Sequence, residues 1–352
     1  MISIIKPYRG FLFFVLFTVL LVSCSSRDVS LRQQYQKSPV VTIQYWGDKW
    51  RAKPLEQRIF PAPEALVARI RMDNELSGFS ERPVAAEPSP EFFEALKSFL
   101  SRLPEPVKRL TEERVIGIFI VNGLGTSGYT EAVRDEDGNY IYAVMVFDRE
   151  ILLQRTANDW ATWKENSAFQ PKTGGHTTLH MKIETRENDT TVNAIRFILL
   201  HEIGHAMGMA SIVHPPWDDS TPVESIGLSF PKLSWRINKE GKIVSLFDDT
   251  FPERTSIRYY SFEKALLSND QMSNTYTNMK EYTNFPSLQA AVNQWEDFAD
   301  SFATYVHVVL EKRPWQVVVE TSGRPPLIIA SCWNEQRCTK KKIFMKKWFA
   351  NP

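Results

Sequence analysis

Cysteine is scarce in this chain. Three occur in 352 residues, at positions 24, 332 and 338. No short Cys/His spacing joins them, which excludes a cysteine-built zinc site. A surplus of charge is missing too, with Lys+Arg at 42 and Asp+Glu at 41. That balance gives no reason to expect nucleic acid or an acidic polymer as partner. There is no internal repeat. Nor is there an apolar run long enough for a comfortable membrane span. The longest, Phe11 to Val22 with one Thr, has the size of a signal-peptide core.

Lys6 and Arg9 precede that run, and it ends Leu21-Val22-Ser23-Cys24. The ending resembles the bacterial lipobox. The resemblance implies that residues 1–23 are a lipoprotein signal peptide and that Cys24 becomes the lipidated first residue. Acyl chains there would hold the protein to a membrane, at about 0.8 kcal/mol per buried CH₂. An ordinary cleaved signal, or an uncleaved anchor helix, is the alternative. The expected location is the bacterial cell envelope. Ser25 and Ser26, with no Asp after the Cys, resemble the enterobacterial sorting pattern that implies the outer membrane. Loss of Lys6 and Arg9 leaves 40 basic against 41 acidic residues. An exported compartment permits a disulfide between Cys332 and Cys338; two free thiols is the other reading.

The chain divides into a tether (24–40), an N-terminal extension (41–87), a central domain (88–312) and a C-terminal extension (313–352). Val41, Ile43 and Tyr45 alternate as in a short strand. Phe92, Phe93, Leu96, Phe99, Leu100 and Leu103 form a helical core stripe led by Ser89-Pro90. Residues 115–124 are one apolar run. Asp135 to Asp148 reads as a hairpin turning at Asp137-Gly138 or Gly138-Asn139. His180 to Thr185 is a shorter strand. Asp189 or Thr190 caps a helix from about Thr191 to Met209 with little solvent face. A second hairpin turns at Glu240-Gly241, and a second apolar helix runs from about Pro286 to Leu310. The ending, with KKKIFMKKW, reads as strands and loops. Its basic run is a solvated face or a contact for anionic lipid.

The most informative stretch is His201-Glu-Ile-Gly-His205, inside the first apolar helix. Two histidines four apart lie one above the other on a helix and can hold one zinc ion together. Glu202 then stands beside the metal, where it can take a proton from water. A buried His-Glu-His set would be costly without a metal to pair it. Catalytic zinc needs a third protein ligand. Six residues after His205, where a metzincin has its third His, stands Ser211; Gly208 matches the metzincin glycine, and His214 is three residues too far. Glu296 and Asp300 offer the other solution, four apart on the second apolar helix. Asp297 is the neighbour most easily mistaken for the ligand.

HEIGH together with WEDFADSFA (295–303) resembles the gluzincin branch of the zincin metallopeptidases. The second motif is similar to the ligand helix of anthrax-lethal-factor-like zincins. The resemblance covers the two helices and, with them, the central domain of about 88–312. It implies an α+β fold, with a mixed twisted sheet over the central HExxH helix and a mainly helical lower subdomain. It implies His201, His205 and Glu296 as Zn²⁺ ligands, Asp300 orienting His201, and Glu202 as general base in hydrolysis of a peptide or protein substrate. His214, Tyr276 and Tyr282 are the candidates for stabilising the oxyanion. His307 reads as core, and His176 with His180 as a remote candidate for a second metal. An edge strand, either YIYAVMVF or His180–Thr185, would hold the substrate backbone. Specificity would lie in 211–285. Three rivals stand beside this reading: a non-catalytic binding lipoprotein on a zincin scaffold, a metzincin-like enzyme using His214, and a zinc amidase acting on cell-wall peptides.

Overall fold

The computed structural model describes residues 29–171, 177–214 and 230–352. The expectations at Cys24, residues 1–23 and His176 lie outside these residues. The fold is α+β, built on a mixed five-stranded sheet.

β1 (Ile59–Pro61), β3 (Val115–Asn122) and β5 (Tyr140–Asp148) run parallel in the order β1-β3-β5, and β2 (Val84–Ala85) joins the far end of β3. β4 (Gly128–Arg134) closes the other side, antiparallel to β5. The apolar run is β3, the centre of the sheet, buried along almost its whole length. Both faces are covered, which is why it reads as a continuous run and not as an alternation. Ile118, Ile120, Met145 and Phe147 point to one core, with α2 (Pro90–Leu100) and the histidine helix α5 (Thr191–Ala210). Phe119, Val121, Val144 and Val146 point to the other, with α1 (Glu64–Ser77) and residues 40–43.

Several local expectations need correction. The hairpin turn is at Gly138 (φ 88°), with Asp135 accepting from the Asp137 and Asn139 amides. Its first strand is β4, however, which ends before Asp135. The polar look of GYTEAVR hides it, because the buried Glu131 is paired by Arg69 across the sheet. Residues 41–45 form no strand: a 3-10 turn, Pro39–Val41, leads into one helical turn, Ile43–Trp46, stopped at Gly47 (φ 59°). Part of the expected tether is docked, since residues 29–36 are helical and Arg69 donates to the Tyr35 carbonyl.

Thr190, not Asp189, caps α5; Asp189 instead accepts from the Asn158 amide at the start of α4 (Ala157–Asn166). The second apolar helix, α7 (Gln294–Thr304), begins eight residues later than its apolar pattern, where the Asn293 side chain accepts from the Trp295 and Glu296 amides. Beyond it, Tyr305–Leu310 is a π turn.

A second sheet has the order β10-β9-β6, from β6 (Thr177–Lys182), β9 (Gln316–Thr321) and β10 (Leu327–Ala330). A hairpin of β7 (Trp235–Ile237) and β8 (Ile243–Ser245) stands apart. The ending is not only strands and loops: KKKIFMKKW lies within α8 (Thr339–Ala350). Lys340, Lys346 and Lys347 are exposed, whereas Lys341 is fully buried against Asp297 of α7. Cys332 and Cys338 form a disulfide just before α8. Among the described residues no helix is long and apolar enough to cross a membrane.

Candidate metal centre

The two apolar helices meet almost backbone to backbone. A Cβ added at Gly204 would lie 2.8 Å from the Ala299 Cα and carbonyl oxygen. Only glycine permits this approach, and the approach is what brings α5 and α7 side chains together. Gly204→Ala is therefore expected to cost about 1–3 kcal/mol of stability and to weaken metal binding by pushing Glu296 away. Denaturant unfolding and chelator competition on the same variant check both effects.

Among the described residues, His201, His205 and Glu296 form a group whose donor atoms converge. The Nε2 atoms of the two histidines are 3.1 Å apart. Glu296 Oε2 is 3.2 Å from His201 Nε2, and Oε1 is 3.5 Å from His205 Nε2. A tetrahedral ion with bonds near 2.0–2.1 Å asks for donor atoms about 3.3 Å apart. The chemistry also fits, since two imidazoles and a carboxylate form one of the three-ligand sets of catalytic zinc. Burial works against the Glu296 charge, but the two histidines outweigh it and hold its carboxyl well below the usual range.

Asp300 stands behind His201. Its Oδ1 is 2.6 Å from His201 Nδ1, and its other oxygen accepts from the Ser287 hydroxyl. Such a bond places the proton on Nδ1 and leaves Nε2 to face the metal position. Burial would lower the His201 pKa, yet Asp300 and Glu296 raise it to about 10. Burial would raise Asp300, but Lys164, His201 and Ser287 bring it below its ordinary value. Gln289, which sequence reasoning missed, donates from Nε2 to Glu296 Oε2 at 2.8 Å.

Glu202 faces β4. Its Oε2 accepts from the Thr130 hydroxyl at 2.6 Å. A Cβ at Gly128 would strike its Oε1 at 2.7 Å, so glycine at the start of β4 makes room for this carboxylate. Among the described residues β4 pairs on one side only, apart from a bridge between Thr42 and Arg134 at its far end. Its near end therefore has no strand partner on that side among the described residues, and there the Gly128 carbonyl accepts from the Thr126 hydroxyl. Neither expected edge is this one: β5 lies inside the main sheet, and β6 belongs to the second sheet.

A cleft of about 910 Å³ opens over the centre. It is lined by His201, Glu202, His205, Glu296 and Asp300, and also by Gly128–Thr130, Lys164 and Tyr260. None of the three oxyanion candidates lines it. His214 is buried behind α5, against Gly208 and Phe298. Tyr276 is fully buried, and its hydroxyl donates to Glu165. Tyr282 is exposed at the end of α6 (Met272–Tyr282), away from the cleft. Tyr129 and Tyr259 line it instead, and so does Tyr260. Its φ is 57°, its amide donates to Ser167 Oγ, and its hydroxyl lies 3.1 Å from Ser127 Oγ. It sits in irregular chain, where no periodicity could mark it.

The remaining singled-out residues serve elsewhere. Asp297 is taken by Lys341 and the Trp235 indole. His180 is exposed on β6. His307 is fully buried, 2.8 Å from Arg196 Nη2 through Nδ1 and 2.7 Å from the Ile183 carbonyl through Nε2. Burial, then the Arg196 charge, push its pKa from 6.5 down to about 3. Between those values the unfolded chain binds a proton that the folded chain refuses, so stability rises with pH there. This contribution is complete above pH 6.5 and is lost as pH falls toward 3. The urea midpoint of the native chain is expected to decline over that window, and His307→Asn to flatten the decline.

Compared with protein-family models, with curated proteins and with solved structures, the chain matches none.

Proposed function

We propose that this protein is a zinc-dependent peptidase of the zincin type, with gluzincin-like ligands. The observation that carries the reading is the convergence of His201, His205 and Glu296, with Glu202 in the same cleft and held there by Thr130 of β4. Zinc held there would supply a Lewis acid and bring the pKa of a water close to neutrality.

The chain's own groups do the rest. Thr130 holds one Glu202 oxygen and leaves the other to accept the proton of the attacking water. The same carboxyl then returns that proton to the leaving amine. Asp300 and Ser287 fix the His201 ring, and Gln289 holds the Glu296 carboxylate. The edge at Gly128–Thr130 is suited to take a substrate backbone as an added strand. Of the cleft tyrosines, Tyr129 and Tyr259 donate to Glu131 and Glu165, which leaves Tyr260 to donate to a developing oxyanion.

The cellular reading is part of the proposal. Cys24 would carry lipid and hold the enzyme to the bacterial envelope. The Cys332–Cys338 disulfide suits an exported, oxidising compartment. Loss of radiolabelled fatty acid on Cys24→Ser is the expected result.

The deciding experiment is cleavage of a mixed, partly unfolded protein pool by the zinc-loaded domain that starts after Cys24. New termini that vanish with a chelator and are absent with Glu202→Gln are expected. A folded, zinc-bearing protein that makes none would replace the peptidase reading by a binding lipoprotein. Cleavage confined to cell-wall peptides would favour the amidase.

A further inference from the structure

We propose that Lys164 forms a carboxylate-binding subsite in the cleft, so that the substrate is a peptide with an anionic group close to the bond that is cut. This rests on the peptidase reading above.

Lys164 lies near the end of α4 and is 6% exposed, yet it lines the same cleft as His201 and Glu202. A buried ammonium is costly unless it is well paired. Among the described residues its one acceptor is Glu165 Oε1 at 3.3 Å. That is long for a charge-assisted bond, which favours about 2.7–2.9 Å. Glu165 is also shared, because its Oε2 accepts the hydroxyls of Tyr259 and Tyr276. The other close neighbours of the ammonium are aromatic rings, Tyr259 at 4.8 Å and Trp160 at 5.8 Å. Rings hold a cation in place without giving its N–H groups an acceptor. Asp300, the nearby cleft carboxylate, is already engaged by His201 and Ser287.

An ammonium has three donors, and among the described residues one long bond answers them. Glu165 and Asp300 favour the charge, but the remaining N–H groups have no acceptor among the described residues. A carboxylate, which accepts and does not donate, supplies one. A dianion such as phosphate suits the cleft less well, because Glu202, Glu296 and Asp300 line it too. Two sources offer a carboxylate: the C-terminus of the peptide, or an Asp or Glu side chain.

The test uses the zinc-loaded Glu202→Gln protein, which can bind without cutting. Three N-acetylated hexapeptide pools are titrated by calorimetry: free carboxyl C-termini, amidated C-termini, and amidated C-termini with one Glu per peptide. One carboxylate pool is expected to bind at least about 10-fold tighter than the plain amidated pool. The first pool would identify a C-terminal carboxylate, the third a side chain. Lys164→Gln on the same background should erase the ratio, and Lys164→Arg should keep most of it. Equal binding of all pools, or no binding, overturns the subsite even if Lys164→Gln fails to fold. A protein that shows the ratio but yields no new termini as wild type overturns the peptidase reading and leaves the subsite standing.

Discussion

Glu202→Gln is expected to lose about 10²–10⁴-fold of peptide hydrolysis while keeping its metal. The amide has nearly the shape of the carboxylate. It can still accept from the Thr130 hydroxyl through its carbonyl, so α5 and its histidines should stay where they are. What it cannot do is take a proton from water. The donor group proposed to hold zinc does not include Glu202, so zinc content should be unchanged. Metal analysis and initial rates on one preparation therefore separate two roles. Loss of both rate and zinc would mean that Glu202 supports the centre and does not act in chemistry. Rate retained within a few-fold would mean that the proton goes elsewhere, and the mechanism proposed for this cleft would fall.

Lys341→Met is expected to destabilise the chain by about 3–5 kcal/mol, the usual cost of stranding one member of a buried ion pair. Both side chains of the Lys341–Asp297 pair are wholly shielded from water. Burial pushes the Asp297 pKa up and the Lys341 pKa down, so each is ionised at the other's insistence. The pair also sets α8 against α7, one residue from Glu296. The variant should thus weaken zinc binding as well as folding, although it touches no ligand. Adding Asp297→Asn should restore most of the stability. The neutral amide needs no counter-charge and still accepts from Trp235 Nε1, which lies 3.0 Å from Asp297 Oδ2. Urea unfolding of the single and double variants checks this. Equal stability of both variants would show that the stranded charge is not the cause.

Much of the centre was legible without coordinates. His201 and His205 share one face of α5, and Glu296 and Asp300 one face of α7, because residues four apart on a helix always do. The apolar neighbours of both motifs announced buried helices. The α+β class came with the resemblance of the two helix motifs to the zincins, and the fold has that class. Where local pattern misled, a tertiary partner was responsible. β4 looked polar because Glu131 answers Arg69 and Thr130 answers Glu202, 62 and 72 residues away in the chain. Lys341 looked like part of a solvated basic run because Asp297 is 44 residues distant. His214, Tyr276 and Tyr282 were plausible in kind, but only packing could send two of them into the core and the third to the surface.

The sequence by itself determined which side chains can act together, since helical periodicity is local and needs no fold to enforce it. The tertiary structure decided how close those sets come and what faces them. Gly204 against Ala299 sets the gap between the helices, Gly128 opens the space over Glu202, and Lys164 and Tyr260 enter the cleft from α4 and from irregular chain. Such contacts join residues far apart in the chain, where only the packed core fixes which neighbours meet.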